Sequence, residues 1–299
     1  MTRFPRLGER VPRQPGPAAW SRDRLGPEAA TADGPSLSSI SVVTPSLNQA
    51  GFIADALASV AGQRCPGLEH VVVDGGSTDG TLEILHAQAG TMRWISEPDA
   101  GQAEAVNKGL ARTSGEIVGW LNADDFYAPG AVAAAARFLA ERPDVDVVYG
   151  DCIYLYQDAE PEESRLVRAR AFDLGVLLNV GCYIPQPATF FRRSALAGIT
   201  LDTSLRYAMD YDLWLRLARA GRTFAYLPQT LATFRITPGS KSGHQLDAFW
   251  REVRLVSRRN GGRVLSRMLA ENLKGRAARH WPRGWGALKR LAGRPRSGA

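Results

Sequence analysis

Ile-Val-Gly-Trp-Leu-Asn-Ala-Asp-Asp, residues 117–125, is an apolar run that ends in two adjacent acids. Its first five residues predict a buried strand that leads directly into Asp124 and Asp125. Ligands of open α/β sheets bind at the carboxyl ends of the strands. Because neighbouring carboxylates repel each other unless a cation lies near, the pair indicates a divalent ion that carries a phosphorylated substrate. The alternative is a loop that caps the next helix, since Asp is a good N-cap residue.

Predicted strands and helices alternate on both sides of this stretch. Short β-branched runs predict strands at residues 40–43, 69–74, 93–96 and 145–149, and helical periodicity predicts helices at 52–61, 78–85, 102–111 and 130–139. Strands that alternate with helices of about ten residues imply right-handed βαβ units and a mostly parallel sheet. The pattern loosens over residues 152–190, and a helix near 211–220 and a strand near 224–227 close the ordered body.

The composition is that of a globular protein. The chain has 299 residues, of which 44% are apolar and 22% charged. Residues 1–39 are rich in Pro, Gly and Arg and contain no apolar core of a secretory signal, so we expect them to be disordered. The three cysteines are widely and irregularly spaced, which fits neither a disulfide framework nor a zinc site and favours a cytoplasmic location.

Further acids follow the predicted strands. Asp74 ends the second strand and Asp151 follows the fifth, so both could converge with Asp124 and Asp125 on one crevice. An acid at the end of strand two can bind a ribose hydroxyl or a base N–H, although Asp74 could equally be a turn residue. The sequence lacks both a dinucleotide-binding glycine motif and a P-loop, so a bound nucleotide would need a metal to neutralise its phosphates.

A second acidic group, Asp210-Tyr211-Asp212, opens a predicted helix. Carboxylates at a helix N-terminus are stabilised by the helix dipole, which explains these residues without any function. The functional interpretation is that one of them is a general base, which must be ionised and within reach of an acceptor hydroxyl.

Several of these segments, in this order, resemble family 2 glycosyltransferases. The matching segments are Thr-Pro-Ser-Leu-Asn-Gln at 44–49, Val-Asp-Gly-Gly-Ser-Thr-Asp-Gly-Thr at 73–81, the acidic segment 122–129 and Met-Asp-Tyr-Asp-Leu-Trp at 209–214. Together with residues 94–99, 107–109 and 188–193, they resemble enzymes of O-antigen and exopolysaccharide assembly. The resemblance covers about residues 40–240.

The resemblance implies a GT-A fold and an inverting, metal-dependent transfer of a sugar from a nucleotide-diphosphate donor to an acceptor hydroxyl, in bacterial surface polysaccharide assembly. Asp124 and Asp125 would hold Mg²⁺ or Mn²⁺, with Asp124 also near the ribose, and Asp210 would be the catalytic base. The expected nucleotide-binding residues are Thr44, Pro45, Asp74, Asp79, Asn107 and Asp124. The alternative is a non-catalytic nucleotide-sugar-binding or scaffold protein on the same fold.

Three positions depart from the family pattern. Gly75 stands where many relatives have a second Asp, Asn122 is a neutral first residue of the DXD-type motif, and Met209 replaces a common acid. These departures leave open which nucleotide base the donor carries and how tightly the site binds a metal ion.

The last expectation concerns three regions: a disordered segment 1–39, a catalytic domain 40–242 and a basic amphipathic helical tail 243–299. The net charge is +7, yet residues 244–299 hold 14 Lys and Arg against 3 Asp and Glu. Such a tail is typical of contact with anionic lipid, which suits a glycan or lipid-linked acceptor at the inner face of the cytoplasmic membrane. The alternative is a helix packed on the body with a solvated basic face. We expect no nucleic-acid partner, because no nucleic-acid fold signature is present.

Overall fold

A computed structural model of the chain describes residues 39–63, 65–157, 163–237 and 246–263. The strands are β1 Ile40–Ser46, β2 Glu69–Asp74, β3 Arg93–Ser96, β4 Ile117–Trp120, β5 Phe126–Tyr127, β6 Val147–Tyr156, β7 Glu163–Val167, β8 Thr189–Arg192 and β9 Phe224–Ile236. The α-helices are α1 Ile53–Ala61, α2 Thr81–Ala87, α3 Gln102–Ala111, α4 Ala131–Glu141, α5 Leu174–Asn179, α6 Met209–Arg219 and α7 Leu246–Arg259.

The strands form one sheet in the order β3-β2-β1-β4-β8-β6-β9-β5, with β7 paired to β6. The first four strands in this order are parallel to one another, as the alternation of strands and helices predicts. β8 is antiparallel to both β4 and β6, so it joins this parallel half to a second half in which β6 and β9 are parallel. The α/β prediction is confirmed. The sheet is mixed because β8 runs antiparallel to its two neighbours, and β8 comes from the region in which the sequence showed no clear pattern.

Apolar side chains cover both faces of the sheet. In β4, Ile117 packs with α1 and α4 on one face, whereas Val118 and Trp120 pack with α3 and α6 on the other. Burial on both faces explains why β4 is a continuous apolar run rather than an alternating one.

Two predicted strand ends are wrong. β1 continues through Thr44 and Pro45 to Ser46, where the prediction ended it at Val43. The proline is tolerated because β4 pairs with β1 only as far as Val43, so the missing N–H of Pro45 costs no bond on that side. β6 runs to Tyr156, which places Asp151 inside the strand rather than at its end.

The bulge that follows Tyr149 depends on a glycine. The register between β6 and β9 shifts between Tyr149 and Asp151. A Cβ atom on Gly150 would lie 2.5 Å from the carbonyl oxygen of Gln229, so only glycine fits this close approach of the two strands.

Helix α7 belongs to the body of the protein. Val253 and Val256 are buried in the same cluster as Trp214 of α6. The described part of the predicted tail therefore agrees with the alternative of a packed helix. Residues 1–38 and 264–299, for which we predicted disorder and an amphipathic tail, lie outside the described residues.

Candidate active site

The carboxyl ends of β1, β2 and β4 lie at one edge of the sheet. Ser46 pairs with Asp74 across β1 and β2, and the backbone N–H of Leu121, just after β4, donates to Val43 of β1 at 3.0 Å. The segment 122–125 therefore begins beside the end of β1. The sequence prediction that these strand ends form one crevice agrees with this register.

Asn122 organises the acidic segment. Its Oδ1 accepts hydrogen bonds from Gln102 Nε2 at 2.7 Å and from Trp120 Nε1 at 2.9 Å. Its Nδ2 donates to Gln186 Oε1 at 2.9 Å and to Asp125 Oδ2 at 3.2 Å. The side-chain oxygen and amide group of Asn122 are thus both occupied, and the residue fixes the loop rather than standing free as a ligand.

The two adjacent acids differ in environment. Asp125 is fully buried, and its Oδ1 accepts the backbone N–H of Arg235 in β9 at 2.9 Å. Burial, and next the negative charge of Asp124, raise the pKa of Asp125 well above its ordinary value. Asp124 is partly exposed, so it is the member of the pair that can meet a ligand directly.

Arg235 supports this pair with its backbone N–H and with its charge, which acts against the rise in the pKa of Asp125. Its guanidinium forms an ion pair of 2.6 Å with Asp55 and lies over the rings of Phe52 and Phe126. The strand β9 and helix α1 are thereby held beneath the acidic segment. The sequence offered no signal for Arg235, which lies 110 residues from Asp125.

Asp74 is a buried turn residue. Its Oδ2 accepts from Gly76 N at 3.0 Å, Ser77 N at 2.9 Å and Ser96 Oγ at 2.8 Å, and its Oδ1 accepts from Ser77 Oγ. These bonds close the Gly-Gly turn and tie β2 to β3. The turn alternative for Asp74 therefore describes the contacts of its side chain in the structure, and its contact with a nucleotide stays a prediction.

Thr44 and Pro45 are also buried, in β1. The Thr44 hydroxyl lies 2.9 Å from Nε2 of His70, and burial lowers the pKa of His70 to about 4, so this imidazole is neutral at pH 7. The two residues shape the floor of the crevice rather than offering free polar groups to it.

Asp79 and Asn107 hold neighbouring segments in place. Asp79 Oδ2 accepts from Ala50 N at 2.9 Å and its Oδ1 from Thr81 N at 3.1 Å, so it links the loop after β1 to the start of α2, as a helix cap does. Both ends of the Asn107 amide bind the backbone of Leu201, at 3.0 and 2.9 Å. Asn107 thus anchors the segment that precedes α6, and its contact with a nucleotide stays a prediction.

Asp99 ends the matching segment 94–99 but is not among the expected nucleotide-binding residues. It is partly exposed, its Oδ1 accepts from Gly101 N at 2.8 Å, and burial raises its pKa. A Cβ atom on Gly75 would lie only 2.7 Å from Asp99 Oδ2, so this carboxylate occupies the space that a side chain at position 75 would need. The unusual glycine at position 75 was the signal that could have identified it.

Asp210 lies in the first turn of α6, and its side chain is partly exposed. Its Oδ1 accepts from Tyr211 N at 2.8 Å, and burial raises its pKa to about 6. Burial raises the pKa of Cys182 and of Tyr154, and the charge of Asp210 adds to both shifts, so both side chains lie nearby. Asp212 is different, because it is buried and paired with Arg216 Nε at 2.6 Å. Asp210 is therefore the acid of this group whose pKa suits a base near neutral pH.

The strands β6 and β9 connect Asp210 with the acidic pair. Tyr154 of β6, a neighbour of Asp210, pairs with Phe234 of β9, and the next residue, Arg235, donates its N–H to Asp125. Asp151, by contrast, is bound to Ala169 N at 2.9 Å and Tyr226 OH at 2.7 Å. Within the described residues, Asp151 thus supports the β6–β9 sheet.

Three observations concern a metal site, a membrane-spanning helix and the cysteines. In the described parts of the chain, no group of three or more His, Cys, Asp and Glu side chains forms a metal site by itself. Over the same residues, no helix has the length and apolar character needed to cross a membrane. Cys65, Cys152 and Cys182 are free thiols.

Known proteins resemble this chain in sequence. The family model "Glycosyl transferase family 2" matches residues 41–199, more than half of the chain. An uncharacterised glycosyltransferase of Mycobacterium tuberculosis is 33% identical over 183 residues, which cover 60% of this chain and 68% of that protein. A PGL/p-HBAD biosynthesis glycosyltransferase of Mycobacterium bovis is 36% identical over 59% of this chain and 68% of that protein.

Solved structures share the fold. TarS 1–349 of S. aureus, in complex with UDP-GlcNAc, has a TM-score of 0.58 at 20% identity, covering 73% of this chain and 65% of that one. The mannosyltransferase PcManGT of Pyrobaculum calidifontis, in complex with GDP-Man and Mn²⁺, has a TM-score of 0.55 at 24% identity, covering 80% of this chain and 66% of that one. Together, the family match and these structures show that the chain belongs to glycosyl transferase family 2 and has a GT-A fold.

Proposed function

We propose that the protein transfers a sugar from a nucleotide-diphosphate donor to an acceptor hydroxyl with inversion, using Asp210 as the base. The observation that carries this proposal is the raised pKa of Asp210, to about 6, at the start of α6. A base with this pKa is mostly ionised at pH 7 and yet basic enough to accept a proton as the hydroxyl attacks. Deprotonation on the face opposite the leaving diphosphate is what direct displacement at the anomeric carbon requires.

A divalent ion fits the acidic segment. Mg²⁺ is usually held by one or two carboxylates together with substrate phosphates, so two acids suffice without a complete protein cage. The charge of Asp124 raises the pKa of Asp125, which is the repulsion that a cation would relieve. We infer that Asp124 holds Mg²⁺ or Mn²⁺ directly and that Asp125 completes the site from below. When bound, the ion neutralises charge on the leaving diphosphate.

The nucleoside is proposed to lie over the ends of β1 and β2. Thr44, Pro45 and Asp74 form the floor there, and Asp79 holds the loop that follows β1. Asn107 contributes by fixing Leu201. The partly exposed carboxylate of Asp99, next to Gly75, is an acceptor at this edge.

The acceptor is proposed to be a glycan or a lipid-linked sugar in bacterial surface polysaccharide assembly, reached from the inner face of the cytoplasmic membrane. Helix α7 supports this location, because Arg251, Leu255 and Arg258 are exposed along one side of it. An arginine-rich face with an apolar residue suits the surface of an anionic bilayer. A further support is the relative of Mycobacterium bovis, which is named as a PGL/p-HBAD biosynthesis glycosyltransferase.

A donor screen tests the proposal. Nucleotide sugars that differ in base and sugar are added with Mn²⁺, and a donor that binds the folded protein should raise its melting temperature. The selected donor is then incubated with polyprenyl-diphosphate-linked sugars, and NMR of the product reports the anomeric configuration. We expect transfer with inversion. A product of retained configuration would contradict the mechanism, and tight donor binding without turnover on any acceptor would favour the non-catalytic alternative.

A further inference from the structure

We propose that Glu252 of α7 is a positioning residue for Asp210, a role that rests on the proposed function. Glu252 lies 42 residues beyond Asp210, in the region that the sequence assigned to a basic tail. It is an acid in a helix whose other charges are mostly arginines, and its side chain turns inward to the protein body.

The carboxylate of Glu252 binds three consecutive backbone N–H groups. Arg206 N donates to Oε1 at 2.9 Å and to Oε2 at 3.1 Å. Tyr207 N donates to Oε2 at 2.6 Å and Ala208 N to Oε2 at 3.0 Å. Hydrogen bonds to an ionised acceptor are the stronger kind, so this side chain fixes the direction of the backbone over these residues.

Those residues lead directly into the helix that carries Asp210. Ala208 is the N-cap of α6, and its carbonyl accepts the N–H of Asp212 at 2.9 Å. The N-cap makes no side-chain hydrogen bond of its own, and its free N–H is one of the three that Glu252 accepts from another helix, while the other two belong to the residues that lead into α6. The orientation of the first turn of α6, and of Asp210 within it, therefore depends on Glu252.

Other contacts fix the same segment farther from Asp210. Asn107 holds Leu201, and Arg259 of α7 pairs with Asp202 at 3.0 Å. These contacts anchor the segment at its start, whereas Glu252 controls the three residues closest to α6. Loss of Glu252 should consequently loosen the approach to Asp210 without releasing the whole segment.

The test compares E252Q with D247N in the full-length protein. Asp247 lies on the same helix and is exposed, so D247N makes the same change of charge without touching the segment. For E252Q we expect kcat to fall on the order of 10-fold or more with the donor KM within about twofold, because small misplacements of a reacting group are costly. D247N should keep both constants.

The pH profile separates positioning from stability. Burial raises the pKa of Asp210 to about 6, so greater access of water in E252Q should lower this pKa and move the acid limb of kcat to lower pH. A lower melting temperature with an unchanged kcat and an unchanged acid limb would show that Glu252 only stabilises the fold, and would overturn the proposal.

Two further measurements keep the result decisive. If E252Q does not fold, E252D retains the carboxylate with a shorter reach and should show an intermediate kcat; a kcat equal to that of the wild type overturns the proposal. If the wild type transfers no sugar, the proposed function has failed, and the titration of Asp210 followed by carbon NMR decides on Glu252 alone. In that case a lower pKa of Asp210 in E252Q supports positioning, and an unchanged pKa contradicts it.

Discussion

At the scale of single residues, similar acids have different roles that their surroundings determine. Asp74 and Asp125 are fully buried and bind backbone or side-chain donors, whereas Asp124 and Asp210 are partly exposed. The sequence located all four because each follows a predicted strand or opens a predicted helix. It could not separate structural from reactive acids, because that depends on partners such as Ser96 and Arg235, which are distant in the chain.

The rate of transfer should depend on the ionisation of Asp210. Its pKa is raised to about 6, so Asp210 becomes protonated as the pH falls through that value and can no longer accept the proton of the acceptor hydroxyl. At pH 5 we expect kcat to be roughly one-tenth of its plateau above pH 7. The measurement is initial rate against pH at saturating donor and acceptor. A flat profile from pH 5 to pH 8 would show that another group is the base.

The acidic pair should respond differently to two matched substitutions. D124N removes the partly exposed carboxylate and should weaken the Mn²⁺-dependent binding of nucleotide diphosphate on the order of 10-fold or more while leaving the melting temperature nearly unchanged. D125N places an amide against Arg235 N or Asn122 Nδ2 and should cost about 1–3 kcal/mol of unfolding free energy. Calorimetry with Mn²⁺ and with EDTA measures the first effect and urea denaturation the second. Equal affinity in EDTA and in Mn²⁺ would rule out the metal site.

At the scale of elements, local pattern predicted the first half of the sheet and missed most of the second. The strands β1 to β4 and their helices carry strong periodicity and were recognised, apart from the end of β1. The strands β7 and β8 lie in the irregular region, and β5 has only two residues. Their formation depends on pairing with β4, β6 and β9, which no local pattern encodes.

Helix α7 should contribute to stability through one face. Val256 is fully buried, so V256A should lower the free energy of unfolding by about 1.5–3 kcal/mol. The neighbouring Leu255 is 43% exposed, and L255A should change the free energy of unfolding by less than about 0.5 kcal/mol. Urea denaturation of both variants measures the difference. Equal effects would mean that α7 does not pack as described.

At the scale of the whole molecule, family membership and the order of motifs followed from the sequence, and the role of the C-terminal part did not. The sequence predicted an amphipathic basic helix after residue 242 with a helix packed on the body as the alternative, and in the structure Val253 and Glu252 of α7 face inward. The amphipathic spacing recorded in the sequence fits a packed helix as well as a membrane-bound one, and only the partners of each face distinguish them.

Membrane contact through the C-terminal residues can be tested by shortening the chain. Residues 264–299 contain 9 Lys and Arg and 1 Glu. A protein ending at Arg263 keeps α7, so it should remain folded and bind vesicles of anionic lipid much more weakly, since each basic residue near the surface contributes about 1 kcal/mol. Co-sedimentation with anionic and with neutral vesicles makes the comparison. Unchanged binding to anionic vesicles would place the contact elsewhere on the protein.

The most direct measurement compares the turnover of D210N with that of a control, D144N. Asp144 is exposed and distant in sequence from Asp210. With Asp210 as the base, kcat of D210N should fall by about 10²–10⁴-fold, because a positioned general base contributes that much. Its affinity for the nucleotide sugar should stay within about twofold, and D144N should match the wild type. Near-normal turnover of D210N would contradict the assignment and leave Asp210 as a residue of the first turn of α6 only.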